Sequence, residues 1–139
     1  MKTIYSTVAT VKNGRMGSAT VNDSDLVINM VPPSTDEDAD GNNPEQLFAM
    51  GYGACFDSAL GVVKKQKDAK FDSTTEVEVE LLAGGMHDYN LGVRIHVIVE
   101  NTDLSADEIQ ALVEEAHKVC PYSKAVKGNI DVEVGSEVK

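Results

Sequence analysis

The sequence predicts an α+β fold in one domain spanning residues 1–139. Three observations carry this. The first thirty residues are rich in strand formers broken by turn signals. A single long apolar stretch then begins with helix-start chemistry. Finally, two segments alternate apolar and polar residues with a period of two, which a half-buried antiparallel pair requires. The expected order is an N-terminal strand meander, a buried central helix, an antiparallel hairpin, C-terminal helices and a final strand.

The meander opens with residues 3–11, where Thr, Val, Ile and Tyr favour extended backbone. Asn13-Gly14 is the dipeptide preferred in tight hairpin turns, so a second strand is expected over residues 15–21. Asn22-Asp23-Ser24-Asp25 turns the chain into a third strand over 26–31, which Pro32-Pro33 ends.

An acidic loop fills residues 34–43, and the central helix follows. Asn43 suits the N-cap, Pro44 the first helical position, and Gln46 completes a capping box. The helix should run to about Lys67. Its residues are apolar nearly all round, so burial on every side is expected. A chain of this size supplies that cover poorly, and a second subunit sharing the core would supply it better.

The hairpin reads Glu76-Val77-Glu78-Val79-Glu80-Leu81, a turn at Gly84-Gly85, then Leu91, Val93, Ile95, Val97 and Val99 on one face with Arg94 and His96 on the other. Ser105-Ala106-Asp107-Glu108 starts a helix whose stripe is Ile109, Leu112, Val113, Ala116 and Cys120. Pro121 disfavours helical backbone at Cys120, which places that cysteine at a helix end. A short helical piece ends near Gly128, and residues 130–134 form the last strand.

Composition excludes several functions. Twenty-three acidic residues against twelve basic ones leave a net charge of −11, unsuited to nucleic acid or an anionic membrane surface. The N-terminus lacks the apolar core of a secretory signal. The most apolar stretch, residues 47–63, contains Asp57 and is short for a membrane span. A cytoplasmic protein with reduced thiols is expected, in which a disulfide is transient rather than structural.

The sequence offers two metal readings. Asp36, Asp38, Asp40 and Gly41 match the start of a calcium-binding loop, but Leu47 stands where the bidentate Glu belongs. The calcium reading is rejected. Cys55, Cys120 and His117 make a rival Cys/His metal-binding reading, weakened by the absence of any CxxC or HxxxH pair.

Cys55 sits in a small, apolar, mid-helix environment, where an inert buried thiol is the ordinary outcome. Desolvation raises its pKa, and the helix N-terminus is about 15 Å away at 1.5 Å per residue, too far to oppose that. A reactive Cys55 therefore needs a cation. Only two arginines exist, Arg15 and Arg94. Arg94 alternates onto the same face as Glu76, Glu78 and Glu80, which gives it a solvent-face ion pair. Arg15 is left by elimination, with Glu45 either its orienting carboxylate or simply a first-turn acid that suits the helix dipole.

The run Asn43-Pro44-Glu45-Gln46-Leu47-Phe48-Ala49-Met50-Gly51-Tyr52-Gly53-Ala54-Cys55-Phe56 resembles the central-helix signature of the organic hydroperoxide resistance (Ohr) proteins, a branch of the osmotically inducible protein C (OsmC) superfamily. Cys120-Pro121-Tyr122-Ser123-Lys124-Ala125, continuing to Val132, resembles their second cysteine segment, and Gly14-Arg15-Met16-Gly17 their arginine loop. The resemblance covers essentially the whole chain. It implies an OsmC-like fold and an intertwined homodimer acting as a thiol-dependent peroxidase on alkyl or fatty acyl hydroperoxides, without cofactor. Cys55 would be the peroxidatic cysteine, Cys120 the resolving one, and Arg15 with Glu45 the activating pair. A dithiol reductant, in this family thought to be a lipoyl-bearing protein, would reopen the disulfide. A non-enzymatic binder of apolar ligands is the alternative within the same fold.

Leu47, Phe48, Met50, Tyr52 and Phe56 are the expected substrate pocket, suited to an alkyl chain. Asp57 has no role in this scheme. Glu45 and Cys55 lie ten residues apart, about 15 Å along a straight helix. One Arg15 reaches both only if the helix breaks at Gly51 or Gly53, or if the site is shared between subunits. The shared site is the expectation.

Overall fold

Asn13 and Gly14 both adopt left-handed backbone, with φ of 61° and 54°. That is the conformation their dipeptide favours in a hairpin. In the computed structural model, which describes residues 1–33 and 38–139, the turn does not close there. A 3₁₀ turn continues it over Gly14–Met16, with Met16 N–H bonded to Asn13 O and Gly17 N–H to Gly14 O. β1 (Ala9–Lys12) and β2 (Ser18–Val21) pair antiparallel from Ala9↔Val21 to Lys12↔Ser18. Arg15 is thereby lifted out of the strand expected to hold it. β3 (Val27–Asn29) adds to β2 on its other edge.

β1 is shorter than the sequence suggests; the residues before it meet the end of β2 through one backbone bond, Asn22 N–H to Val8 O at 3.0 Å, and through side chains. Asn22 Oδ1 accepts the Val8 N–H at 3.1 Å, and the Tyr5 hydroxyl donates to Asp23 at 2.5 Å. After β3 the chain meets Asn42 through a parallel bridge at Met30. Of the acidic loop over 34–43, residues 34–37, including Asp36 of the rejected calcium reading, lie outside the described residues.

The described chain forms two compact units, Met1–Leu47 and Phe48–Lys139, with the boundary in the first turn of α1 (Pro44–Gln66). The expected capping box starts that helix: Asn43 Oδ1 accepts the Gln46 N–H at 2.8 Å, and Gln46 Oε1 accepts the Asn43 N–H at 2.9 Å. α1 continues unbroken through Gly51 and Gly53. Within one chain it buries a single stripe, Tyr52, Phe56, Ala59, Leu60 and Val63, rather than all its faces. Met50 and Val62 stay exposed.

In the second unit, β4 (Asp72–Ala83) and β5 (Tyr89–Glu100) form the predicted hairpin in register from Asp72↔Glu100 to Ala83↔Tyr89. Val93, Ile95, Val97 and Val99 face the core, and Arg94 faces solvent. α2 (Ala106–Val119) starts at Ser105, whose Oγ accepts the Glu108 N–H at 3.2 Å, and buries Ile109, Val113 and Ala116. α3 (Pro121–Val126) follows directly. β6 (Val132–Val138) begins later than predicted and pairs parallel to β5, giving the order β4-β5-β6. The core joins the α1 stripe, the inner face of β5 and the α2 stripe, with Cys120 among its fully buried members. No helix among the described residues is long and apolar enough to cross a membrane.

Candidate active site

The four residues singled out by the sequence fall into two pairs, one in each unit. In the first, Arg15 projects from the 3₁₀ turn and Glu45 from the first turn of α1. Arg15 Nη1 donates to Glu45 Oε2 at 2.8 Å and Nη2 to Oε1 at 2.5 Å. This is the two-pronged geometry a guanidinium makes with a carboxylate. The Glu45 side chain is 14% exposed and that of Arg15 47%. The Arg15 hydrogen bonds hold the Glu45 carboxyl below its usual range against the opposing effect of burial. Glu45 raises the Arg15 guanidinium in return. Glu45 is thus an orienting carboxylate for Arg15, and its place in the first turn also suits the helix dipole.

In the second unit, Cys120 Sγ lies 3.6 Å from Cys55 Sγ, and both thiols are free. Cys55 is half-buried on α1. Cys120 caps both the end of α2 and the start of α3, with φ −59° and ψ 122°. Pro121 enforces that corner, as its ring excludes helical backbone at the preceding residue. Burial pushes the Cys55 thiol up, and Cys120 adds to the rise. The backbone N–H of Tyr122 opposes it by hydrogen bonding to the Cys55 sulfur. First-turn N–H groups of a helix have no partner within it, so the start of α3 offers one to the thiolate. Sequence reasoning missed that donor, although a proline at the first position of α3 is the signal for it.

A second missed feature lies beside the sulfurs. Ser123, 4% exposed, has its Oγ 2.9 Å from the Tyr52 hydroxyl and 2.8 Å from His117 Nδ1. Burial pushes the His117 imidazole down, which favours the neutral ring. Among the described residues no three His, Cys, Asp or Glu side chains are grouped to hold a metal ion. His117, the histidine of the metal reading, is engaged with Ser123 instead.

The expected pocket residues are distributed unevenly. Leu47, in the first unit, is half-buried, as is Phe48 in the second. Met50 is exposed, while Tyr52 and Phe56 are fully buried in the core. The Phe48, Tyr52 and Tyr122 rings cluster at centroid separations of 5.7–6.3 Å, edge-on or tilted as aromatic quadrupoles prefer. A cavity of about 560 Å³ lies elsewhere in this unit, between Lys67–Lys70 and the start of α2, and neither cysteine lines it.

Arg94 behaves as its alternation predicts. It pairs on the solvent face with Glu78 at 3.2 Å and Glu80 at 3.3 Å, and parallel pairing with β6 adds Glu133 at 3.1 Å. Asp57 accepts a 2.9 Å hydrogen bond from the Thr75 hydroxyl, joining α1 to β4.

Residues 36–135 match the family model described as OsmC-like protein. The chain is 38% identical to organic hydroperoxide resistance protein OhrB of Bacillus subtilis over 132 residues, 94% of this chain and 96% of the relative. The chain belongs to the OsmC-like family, in its organic hydroperoxide resistance (Ohr) branch. Ohr protein OhrA of the same organism is 41% identical over 133 residues, 93% of each chain. Among solved structures, an organic hydroperoxide resistance protein from Legionella pneumophila superposes with a TM-score of 0.89 at 38% identity, covering 99% of this chain and 100% of that one. The α+β expectation and the OsmC-like fold therefore hold. In this Ohr chain the residues matched to the branch's motifs form the Arg15–Glu45 and Cys55–Cys120 pairs already described.

Proposed function

We propose that this Ohr protein is a cysteine-based peroxidase that reduces organic hydroperoxides, alkyl or fatty acyl, to alcohols. The observation that carries the reading is the pair of free thiols, Cys55 and Cys120, at 3.6 Å. A disulfide needs about 2.05 Å between sulfurs, a gap that small side-chain rotations close. The relatives named for organic hydroperoxide resistance support the substrate class.

In this scheme the Cys55 thiolate attacks one peroxide oxygen, the O–O bond breaks, and the alcohol leaves with a proton. Cys55 becomes a sulfenic acid. Cys120 then attacks the Cys55 sulfur, the S–O bond breaks, and water departs as the disulfide forms. A dithiol, for which a lipoyl-bearing protein is the candidate, reopens it by exchange. A reducing cytoplasmic compartment suits that cycle.

Thiolate formation must overcome the desolvation that raises Cys55. The Tyr122 N–H supplies part of the opposition, and we assign the rest to the guanidinium of an Arg15–Glu45 pair. Because α1 is unbroken across the ten residues from Glu45 to Cys55, the reading takes that pair from the second subunit of a homodimer. The test is consumption of cumene hydroperoxide by the purified protein with a dithiol reductant. Turnover by wild type and none by Cys55→Ser supports the reading; equal turnover by both overturns it.

A further inference from the structure

One buried hydroxyl ties together the two elements that carry the cysteines. Tyr52 lies three residues before Cys55 on α1, and its hydroxyl is 2.9 Å from Ser123 Oγ. His117 lies three residues before Cys120 on α2, and its Nδ1 is 2.8 Å from the same oxygen. Ser123 lies three residues after Cys120, in α3. Each anchor is thus about one helical turn from a sulfur-bearing residue, where side chains share a face. With a neutral imidazole accepting at Nδ1, Tyr52 donates to Ser123 and Ser123 donates to His117. No buried side-chain nitrogen or oxygen among the described residues lacks a partner.

The three elements it joins are those that must keep their spacing if the thiols are to combine. We propose that Ser123 is a positioning residue for disulfide closure: its bonds to Tyr52 and His117 hold Cys120 against Cys55 so that closure outruns further oxidation. The inference rests on the peroxidase reading. In the step it governs, the Cys120 sulfur bonds to Cys55 as the Cys55 S–O bond breaks. The sulfenic oxygen leaves as water with the thiol proton, Cys55 being reduced and Cys120 oxidised.

Misplacing reacting atoms by about 1 Å can cost up to about a hundredfold in rate. The experiment compares wild type, Ser123→Ala and Ser123→Thr in single-turnover reactions with cumene hydroperoxide. Mass spectrometry follows the sulfenic acid, disulfide and sulfinic acid. The expected result is disulfide closure slowed about tenfold or more in Ser123→Ala, with sulfinic acid on Cys55 appearing at hydroperoxide levels that wild type tolerates. Ser123→Thr, which keeps the hydroxyl, should restore closure. General loss of structure would slow the first oxidation and closure alike, whereas a positioning role changes their ratio. His117→Leu, which removes one leg, should shift the ratio the same way, and it keeps the test open if Ser123→Ala does not fold. Wild-type closure rates and sulfinic acid levels in Ser123→Ala, or in His117→Leu where that stands in, overturn the proposal. Failure of wild type to oxidise Cys55 at all overturns the peroxidase reading instead.

Discussion

Cys120 Sγ stands 3.6 Å from Cys55 Sγ, the first sulfur fully buried and the second half-buried. On the peroxidase reading proposed above, the more accessible sulfur would meet the incoming peroxide and the buried one would attack the sulfenic acid formed beside it. Cys55→Ser should abolish hydroperoxide consumption. Cys120→Ser should oxidise once, then accumulate sulfinic acid or mixed disulfides, because nothing intercepts the sulfenic acid. Intact-mass measurement after one equivalent and after excess hydroperoxide checks both. Sustained turnover by Cys120→Ser would remove the resolving role.

Arg15 and Arg94 should differ sharply on replacement. Arg15→Ala should raise the Cys55 pKa and slow the reaction, read as a shift of the pH dependence of Cys55 alkylation toward higher pH. Arg94→Ala should leave that profile in place, since Arg94 is held among Glu78, Glu80 and Glu133 on the exposed sheet face. Exposed ion pairs are screened by solvent and contribute little, so its effect on stability should also be small. A damaging Arg94→Ala would reverse this ranking.

The Arg15–Glu45 pair and the solvent-face pairing of Arg94 were both legible in the sequence, for different reasons. Arg94 follows from period-two alternation, a backbone property that the observed register reproduces. Arg15 follows from elimination and motif, whereas its place in a 3₁₀ turn rather than a strand does not. Asn13-Gly14 signals a two-residue turn, but the chain extends it to Gly17 through the Met16–Asn13 and Gly17–Gly14 backbone bonds, which the dipeptide alone does not encode. The parallel pairing of β6 was equally invisible, because a strand's period says nothing of its neighbour's direction. The Ser123 connection needed three elements in space at once. The Cys120 corner was readable, because Pro121 acts on the residue next to it.

Glu45 gives a pH signature with a definite sign. Its folded carboxyl lies below the usual value near 4.5, chiefly through the Arg15 hydrogen bonds. A depressed carboxyl contributes stability that is fully present above the unfolded pKa and is lost as pH falls through the folded one. Thermal unfolding of wild type and Glu45→Gln should therefore differ by a constant amount at neutral pH. The two should converge below about pH 4.5. A difference that persists into acid would mean that the carboxylate–guanidinium pair is not its source.

The unbroken α1 makes the shared site testable by mixing subunits. Cys55→Ser chains retain Arg15 and Glu45, and Arg15→Ala chains retain Cys55. Each homodimer should be inactive or slow. Refolded together, the mixed dimer should regain one complete site, built from Cys55 of one chain and the arginine of the other. Recovery of hydroperoxide consumption on mixing, proportional to the mixed-dimer fraction seen by native mass spectrometry, is the expected outcome. No recovery, with mixed dimers present, would place all four residues of a working site in one chain.

The turn that carries Arg15 offers a contrast between two glycines. A Cβ on Gly17 would lie 1.7 Å from the Lys12 carbonyl oxygen, a backbone atom that cannot move without opening the β1–β2 connection. A Cβ on Gly14 meets nothing within 4 Å, and its φ of +54° is strained for an L-residue. That strain costs about 1–2 kcal/mol. Gly14→Ala should therefore lower the melting temperature modestly while Arg15 keeps its partner. Gly17→Ala should force the turn to rebuild and draw Arg15 away from Glu45. It should thus lose the acid-dependent stability step that Glu45→Gln loses, and slow peroxide consumption as Arg15→Ala does. If Gly17→Ala kept the wild-type acid profile and rate, the turn from Asn13 to Gly17 would not be what positions Arg15.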